Sequence, residues 1–415
     1  MRRGMICTSA PGLHCNKQWL AEEAGQDDAA LRPASPPLHR RSSTVPLPPA
    51  LALARFHLFR SIVLQDHTFT SSFQRLLRLS PDLGYYVREL TIAKFVTASE
   101  VFVPAKPPTP SINDALPEVL RQLPHLRSLT LAHMDLKCVT DLSALHHPTL
   151  SSLSLSYCQF ADFADLVDLA NAFPRLADLA VAGLTWVNES RPPTPRAIPS
   201  LRRLALGRDT DSERLFDWFV AAGLHGTVTR LEARCASERD TDLVGPFVKL
   251  AGPVLRELEL DWSFTGDKTN RPSARPAFAA IGLPVTMSLA ECTALDTLRL
   301  QFPIHYSTTL PWVVALLETI DTAAAAASPY SAPRSPAAVR TLAFEIRLLG
   351  RVDALDWDGL NRVLATAPSY RALEALRIGV NLWPGVHRDV AEVEGVVRDR
   401  LAPLEKKGVL RFGKV

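Results

Sequence analysis

Cysteine is scarce: six in 415 residues, Cys7, Cys15, Cys138, Cys158, Cys235 and Cys292, with no CxxC pair. Thiols so widely separated do not form the disulfide framework of a small secreted domain, and they fit a reducing compartment. A surplus of one charge is also lacking. Lys and Arg total 46 against 43 Asp and Glu, a formal net charge of +3, which gives no global field pointing to nucleic acid or an anionic membrane. Nor is there a long apolar run. The stretch from Leu310 to Ala327 is broken by Glu318 and Asp321, whereas about 18 uninterrupted apolar residues are needed to span a bilayer. The opening MRRGMICTSAPGLHC lacks the apolar segment of about 7 to 15 residues that a secretory signal requires. The expectation is an intracellular protein, cytoplasmic or nuclear, with no nucleic-acid or membrane partner. Without a secretory route the triplet Asn188-Glu189-Ser190, a glycosylation match, has no consequence.

Motifs that carry chemistry are missing too. HExxH and GxSxG do not occur, which leaves zincin and serine-hydrolase readings without support. Gly408 to Lys414 spells most of a phosphate-binding loop, but such a loop must open a helix and supply Ser or Thr, and here Val415 follows at once. His146-His147 reads as a solvated loop rather than a metal pair. Cys158 and Cys235 each fall just after a strand phrase, where a buried thiol fills a turn. No catalytic residue, metal site or cofactor is expected, and the protein is expected not to be an enzyme.

What is abundant is proline, 33 residues against 19 glycines, and a repeated phrase. LPHLRSLTLAHMDL from Leu123 returns as HPTLSSLSLSYCQF from His147, FPRLADLAVAGLTW from Phe173, GPVLRELELDW from Gly252 and CTALDTLRLQF from Cys292. In the frame LxxLxL ten copies begin at Val87, Leu126, Leu150, Leu176, Leu201, Val228, Leu255, Leu295, Val339 and Leu373, and all thirty framed positions are apolar. At 47% hydrophobic composition chance supplies about 14. The intervals from Leu126 to Leu255 are 24, 26, 25, 27 and 27 residues, within the roughly 20 to 29 of leucine-rich repeats.

The last two framed residues of each copy alternate with polar neighbours at the period of a strand, so one face goes inward. One such strand cannot bury that face alone; stacked strands share a core. The expected fold is α/β: a leucine-rich-repeat solenoid, or horseshoe, with a parallel sheet on its concave face and helices or loops on its convex face. Return helices are read in DFADLVDLANAF from Asp162, SERLFDWFVAAG from Ser212 with Ser212 as N-cap, LPWVVALLETID from Leu310, LDWDGLNRVLATA from Leu355 and the stretch from Val386. Pro-rich or polar excursions at Pro104, Glu189, Thr265 and Ala323 read as loops that such a stack tolerates. Residues 1–49 carry no periodicity and read as a disordered low-complexity tail, apart from a short helix around Trp19 to Ala24. Residues 50–84 read as a helical N-terminal cap and residues 85–415 as the repeat array.

Leu58-Phe59-Arg60-Ser61-Ile62-Val63-Leu64 and Val87-Arg88-Glu89-Leu90-Thr91-Ile92 resemble fungal F-box/leucine-rich-repeat proteins, in which the last F-box helix leads into such a phrase and a strand then opens the repeats. The resemblance spans roughly residues 50 to 415. It implies a protein-interaction scaffold that is the substrate-recognition part of an F-box-type ubiquitin ligase receptor, docked on the Skp adaptor of a cullin ligase. The alternative is a leucine-rich-repeat binding protein outside ubiquitin chemistry. The Leu-Pro and amphipathic helix that begin an F-box are not found in residues 1–49, which reads as an F-box decayed or truncated. Weak or no binding of the adaptor is therefore expected.

A protein partner is expected on the concave face. In the early repeats the outward residues are small: Ser128, Thr130, Ser152, Ser154, Ala180 and Ala205. From Arg230 the character changes, through Glu232 and Arg234 to Glu257, Glu259, Asp261 and Trp262, then Arg299, Gln301 and Phe302. Register between parallel strands sets Arg230 beside Glu257, Arg234 beside Asp261 and Glu259 beside Arg299. Such pairs either stabilise the sheet by at most about 1 kcal/mol each or, with Trp262 and Phe302 as aromatic anchors, form a partner surface. The expected partner site is Arg230, Arg234, Glu257, Glu259, Asp261, Trp262, Arg299 and Phe302.

Overall fold

The computed structural model describes residues 49–65, 67–93, 112–136, 147–188, 198, 201–235, 238–262, 287–304, 310–326, 338–348, 350–383 and 389–413. These belong to one compact unit, Pro49–Val415. The N-terminal tail, its short helix and the Pro-rich or polar excursions at Pro104, Glu189 and Thr265 lie outside the described residues, as does most of the one at Ala323.

The chain is α/β. Helix α1 (Pro49–Phe59), strand β1 (Ser61–Leu64), helix α2 (His67–Leu79) and strand β2 (Glu89–Ala93) come first. Then follow α3 (Ile112–Arg121), β3 (Ser128–Ala132), β4 (Ser152–Ser156), β5 (Gln159–Asp162), α4 (Phe163–Asn171), β6 (Asp178–Ala182), β7 (Thr185–Asn188) and β8 (Arg203–Leu206). Next are α5 (Ser212–Ala221), β9 (Arg230–Arg234), α6 (Glu238–Ala251), β10 (Glu257–Asp261), β11 (Thr297–Ile304) and α7 (Pro311–Ala326). The chain closes with β12 (Thr341–Leu348), α8 (Trp357–Thr366), β13 (Ala375–Leu382), α9 (Val390–Arg400), α10 (Ala402–Lys406) and β14 (Leu410–Phe412). Among the described residues twelve strands form one sheet in the order β1-β2-β3-β4-β6-β8-β9-β10-β11-β12-β13-β14, which is the order of the chain. Every neighbouring pair is parallel. Strands β5 and β7 pair separately.

All ten framed phrases are strands of this sheet, and their frames fall in register. Leu90, Leu129, Leu153, Leu179 and Leu204 pair in turn, followed by Leu231, Leu258, Leu298, Leu342 and Leu376. Ile62 of β1 closes this row at one end and Leu410 of β14 at the other. Every framed residue is buried except Leu373, which is partly buried against the same core. The helices meet this face: Leu166 of α4, Phe219 of α5, Phe247 of α6, Leu317 of α7 and Leu360 of α8 belong to the core that holds the framed residues. Burying a leucine stabilises by about 1.5–3 kcal/mol, and the repetition of one shape lets each strand pack on the next.

The five segments read as return helices are helical, although the last is divided into α9 and α10. Helix α4 is fixed at its start by a reciprocal capping box between Asp162 and Asp165. Helix α5 corrects one detail: its N-cap is Asp211, and Ser212 is the first helical residue. The outermost strands were not legible as strands. Ser61–Leu64 lies within the phrase that resembles the end of an F-box, and Leu410–Phe412 within the failed phosphate loop. His147 is a further correction. Rather than being solvated it is buried, with Nε2 2.8 Å from the Leu123 carbonyl and Nδ1 3.2 Å from the Thr149 hydroxyl.

Candidate functional site

On the face opposite the core, alternate strand residues form rows that run across the sheet. One row reads Asp178, Arg203, Arg230, Glu257, Thr297 and Thr341. The next reads Ala180, Ala205, Glu232, Glu259, Arg299 and Ala343. In β3 and β4 the same rows carry Ser128, Thr130, Ser152 and Ser154. The first row therefore turns from serine to charge at Asp178 of β6 and the second at Glu232 of β9, so that charge begins on strands earlier than Arg230.

Glu232 is the centre of the charged group. Its Oε1 lies 2.7 Å from both the Arg203 and the Arg230 guanidinium, and Arg230 reaches Glu257 at 3.1 Å. Arg203 was not among the expected residues; its position, aligned with Arg230 and Glu257 in the LxxLxL frame, was the available signal. Burial works against the charge of Arg230, yet the hydrogen bond to Glu232 and the charges of Glu232, Glu257 and Glu259 outweigh it and lift its pKa. Glu259 has the opposite problem. Burial, and then the like charge of Glu232 directly beside it, raise its pKa; Arg299 at 3.9 Å and the Gln301 side-chain amide donating at 2.9 Å oppose this only in part.

Three expected ion pairs are present: Arg230 with Glu257, Glu259 with Arg299, and Arg234 with Asp261 at 3.6 Å. In the last pair the carboxylate is buried, while Arg234 is exposed.

The two aromatic anchors are not on this surface. Trp262 and Phe302 are buried, and both pack edge-on against Trp312 of α7, with ring centroids 4.9 and 5.7 Å away. The Trp262 indole donates to the Thr241 hydroxyl at 3.4 Å. The period of two explains the correction: in each strand the residue two beyond the last framed leucine faces the same way as that leucine. Leu258 and Leu260 carry Trp262 inward, and Leu298 and Leu300 carry Phe302 inward. Of the expected residues, Arg230, Arg234, Glu257, Glu259 and Arg299 are at least partly exposed on this face, Asp261 is buried beside Arg234, and Arg203, Glu232 and Gln301 adjoin them.

Cys158, Cys235 and Cys292 are buried. Desolvation pushes their thiols up, to about 11 for Cys158 and about 12 for the other two. Among the described residues no group of three or more His, Cys, Asp and Glu side chains is placed to hold a metal ion, and no helix is long and apolar enough to cross a membrane. No protein-family model matches the chain, and no curated protein matches it.

Proposed function

We propose that the protein is a leucine-rich-repeat horseshoe that recognises a protein partner with the charged stretch of its concave face, from Arg203 to Arg299. The observation that carries this reading is the ladder itself. Ten copies of one strand phrase stand in register with their framed apolar residues on the core side, and the opposite side leaves most of its alternate residues partly exposed, Asp261 and Ala343 being buried. A surface of that kind is rigid before binding, so little ordering entropy is lost when it is covered. Charge on it selects a partner of complementary pattern and speeds encounter. The serine and threonine side chains of β3 and β4 offer little to anchor a partner.

The fuller proposal makes this surface the substrate-recognition part of an F-box-type receptor. Its support is the resemblance of residues 58–64 and 87–92, together with the helices α1 and α2 that lie ahead of the first repeat strand. The alternative is a repeat protein that binds its partner outside ubiquitin chemistry. Mixing the full chain with purified Skp adaptor at micromolar concentration separates the two. Weak or absent binding is expected, and a robust one-to-one complex would instead establish the adaptor role.

The partner surface is tested with Glu257→Ala combined with Arg299→Ala, both partly exposed, after checking that the melting temperature is unchanged. Partner capture should fall at least tenfold, while Ser152→Ala with Ser154→Ala leaves it intact. Undiminished capture by the charged double variant would place recognition elsewhere.

A further inference from the structure

A second surface lies where the strands begin. The first framed residue of each repeat points inward, so the residues on either side of it point outward. Backbone hydrogen bonds place Arg60, Arg88, Arg127 and Ser151 in consecutive positions along this leading edge: Arg88 N–H donates to the Arg60 carbonyl at 2.8 Å, Arg127 N–H to Arg88 at 2.7 Å, and Ser151 N–H to Arg127 at 2.9 Å. Neighbouring positions are about 4.8 Å apart, and like charges directly opposite one another destabilise a sheet. Arg88, His125, Arg127, Thr149, Ser151 and Arg175 line an open recess of about 310 Å³ at this place.

Among the described residues the recess has little counter-charge. Arg60 has Glu89 at 3.9 Å, but among the described residues no carboxylate lies within ion-pair distance of Arg88, Arg127 or Arg175. The same row handles an arginine differently farther along, where Arg340 sits between Asp296 and Glu374 and pairs with both, at 3.4 and 3.5 Å. Arg88 is held in place by donating to the carbonyls of Tyr85 and Val87, at 2.6 and 3.1 Å. Burial, and then the crowding of Arg127 and Arg60, hold its pKa below the ordinary arginine value.

We infer that Arg88, Arg127 and Arg175 form a binding site for a phosphomonoester dianion. Three guanidinium groups from the segments leading into β2, β3 and β6 line one open recess, and a tetrahedral dianion accepts from several planar donor forks at once and offsets more than one charge. A single carboxylate would leave most of the repulsion in place. The recess opens to solvent, so the group can arrive on a phosphorylated side chain of a partner or on a small free phosphate ester. This site is separate from the charged stretch of β8 to β11 and stands or falls without it.

The test uses the full chain and three probes at low salt: a neutral hexapeptide carrying one phosphoserine, its unphosphorylated twin, and inorganic phosphate. The phosphopeptide is expected to bind and its twin not. Inorganic phosphate that competes as strongly as the peptide points to a free ester, and phosphate that competes weakly points to a modified partner. Arg88→Gln combined with Arg127→Gln should weaken binding at least about tenfold, with Arg340→Gln as the unaffected control. Arg127→Gln alone supplies a readout that needs no ligand: in phosphate-free buffer its melting temperature should equal or exceed that of the parent, because a like charge has gone. No binding by either phosphate probe, equal binding by the double variant, or a lower melting temperature for Arg127→Gln would each overturn the assignment.

Discussion

The ring of Tyr157 lies flat on the imidazole of His133, with centroids 5.0 Å apart and planes 5° from parallel. Both residues follow a repeat strand and both have left-handed backbone, with φ of 53° and 56°, as does Gly183 after the next strand, at 60°. A non-glycine residue pays for that conformation in strain. Gly183 supplies the room for the stack, since a Cβ there would fall 2.4 Å from the Tyr157 ring. Gly183→Ala should therefore destabilise by about 1–3 kcal/mol, measured by urea denaturation. Tyr157→Asn, which tolerates positive φ, should cost less, and in that background the alanine penalty should shrink.

Glu259 supplies a pH dependence with a definite sign. Its folded-state pKa is raised above the ordinary value of 4.5, so the folded chain holds this proton more tightly than the unfolded chain does. The contribution to stability falls as pH rises from about 4.5 through the raised folded pKa. Glu259→Gln keeps a partner for Gln301 while removing the repulsion from Glu232, and should stabilise at pH 8 by about 0.5–1 kcal/mol. At pH 4 the gain should be close to zero. Denaturation curves at the two pH values check this.

Leu258 is buried between Leu231 and Leu298. Leu258→Asp places a charge there with no counter-ion in the leucine row, and should abolish cooperative unfolding or lower stability by more than about 4 kcal/mol. Trp262→Ala should cost about 3–5 kcal/mol, as expected of a large core ring. It is accordingly a stability variant and not a probe of binding.

Cys158, Cys235 and Cys292 should resist alkylation in the native protein at pH 8, because burial both hides the thiols and keeps them protonated. Peptide mapping after a short iodoacetamide pulse should find these three unmodified, and fully modified once urea is added. Rapid native labelling of any of them would contradict their burial.

The repeat strands were legible because one periodic signal, leucine at LxxLxL, is also the signal for burial. The same alternation contained the orientation of Trp262 and Phe302, which polar neighbours such as Asp261 and Gln301 obscured. Strands β1 and β14 escaped because SIVL and LRF are short and lie outside the phrase, while α3 and α6 each carry an internal proline, Pro117 and Pro246, which weakens a helical reading. Among charged residues, Arg230 with Glu257 could be paired from register alone. The arginine recess could not, because its residues flank the first framed leucine instead of lying between the last two, and only strand order shows that PHLR, PTLS and PRL meet at one place.

Chain order and sheet order coincide, so β2 and β6 share no hydrogen bond although only β3 and β4 lie between them. Cohesion within the sheet therefore passes from each strand to its immediate neighbours. The recess at the leading edge takes Arg88 from just before β2 and Arg175 from just before β6. A dianion gripped by both would act as a staple across four strands, tying together strands that otherwise hydrogen-bond only to their immediate neighbours.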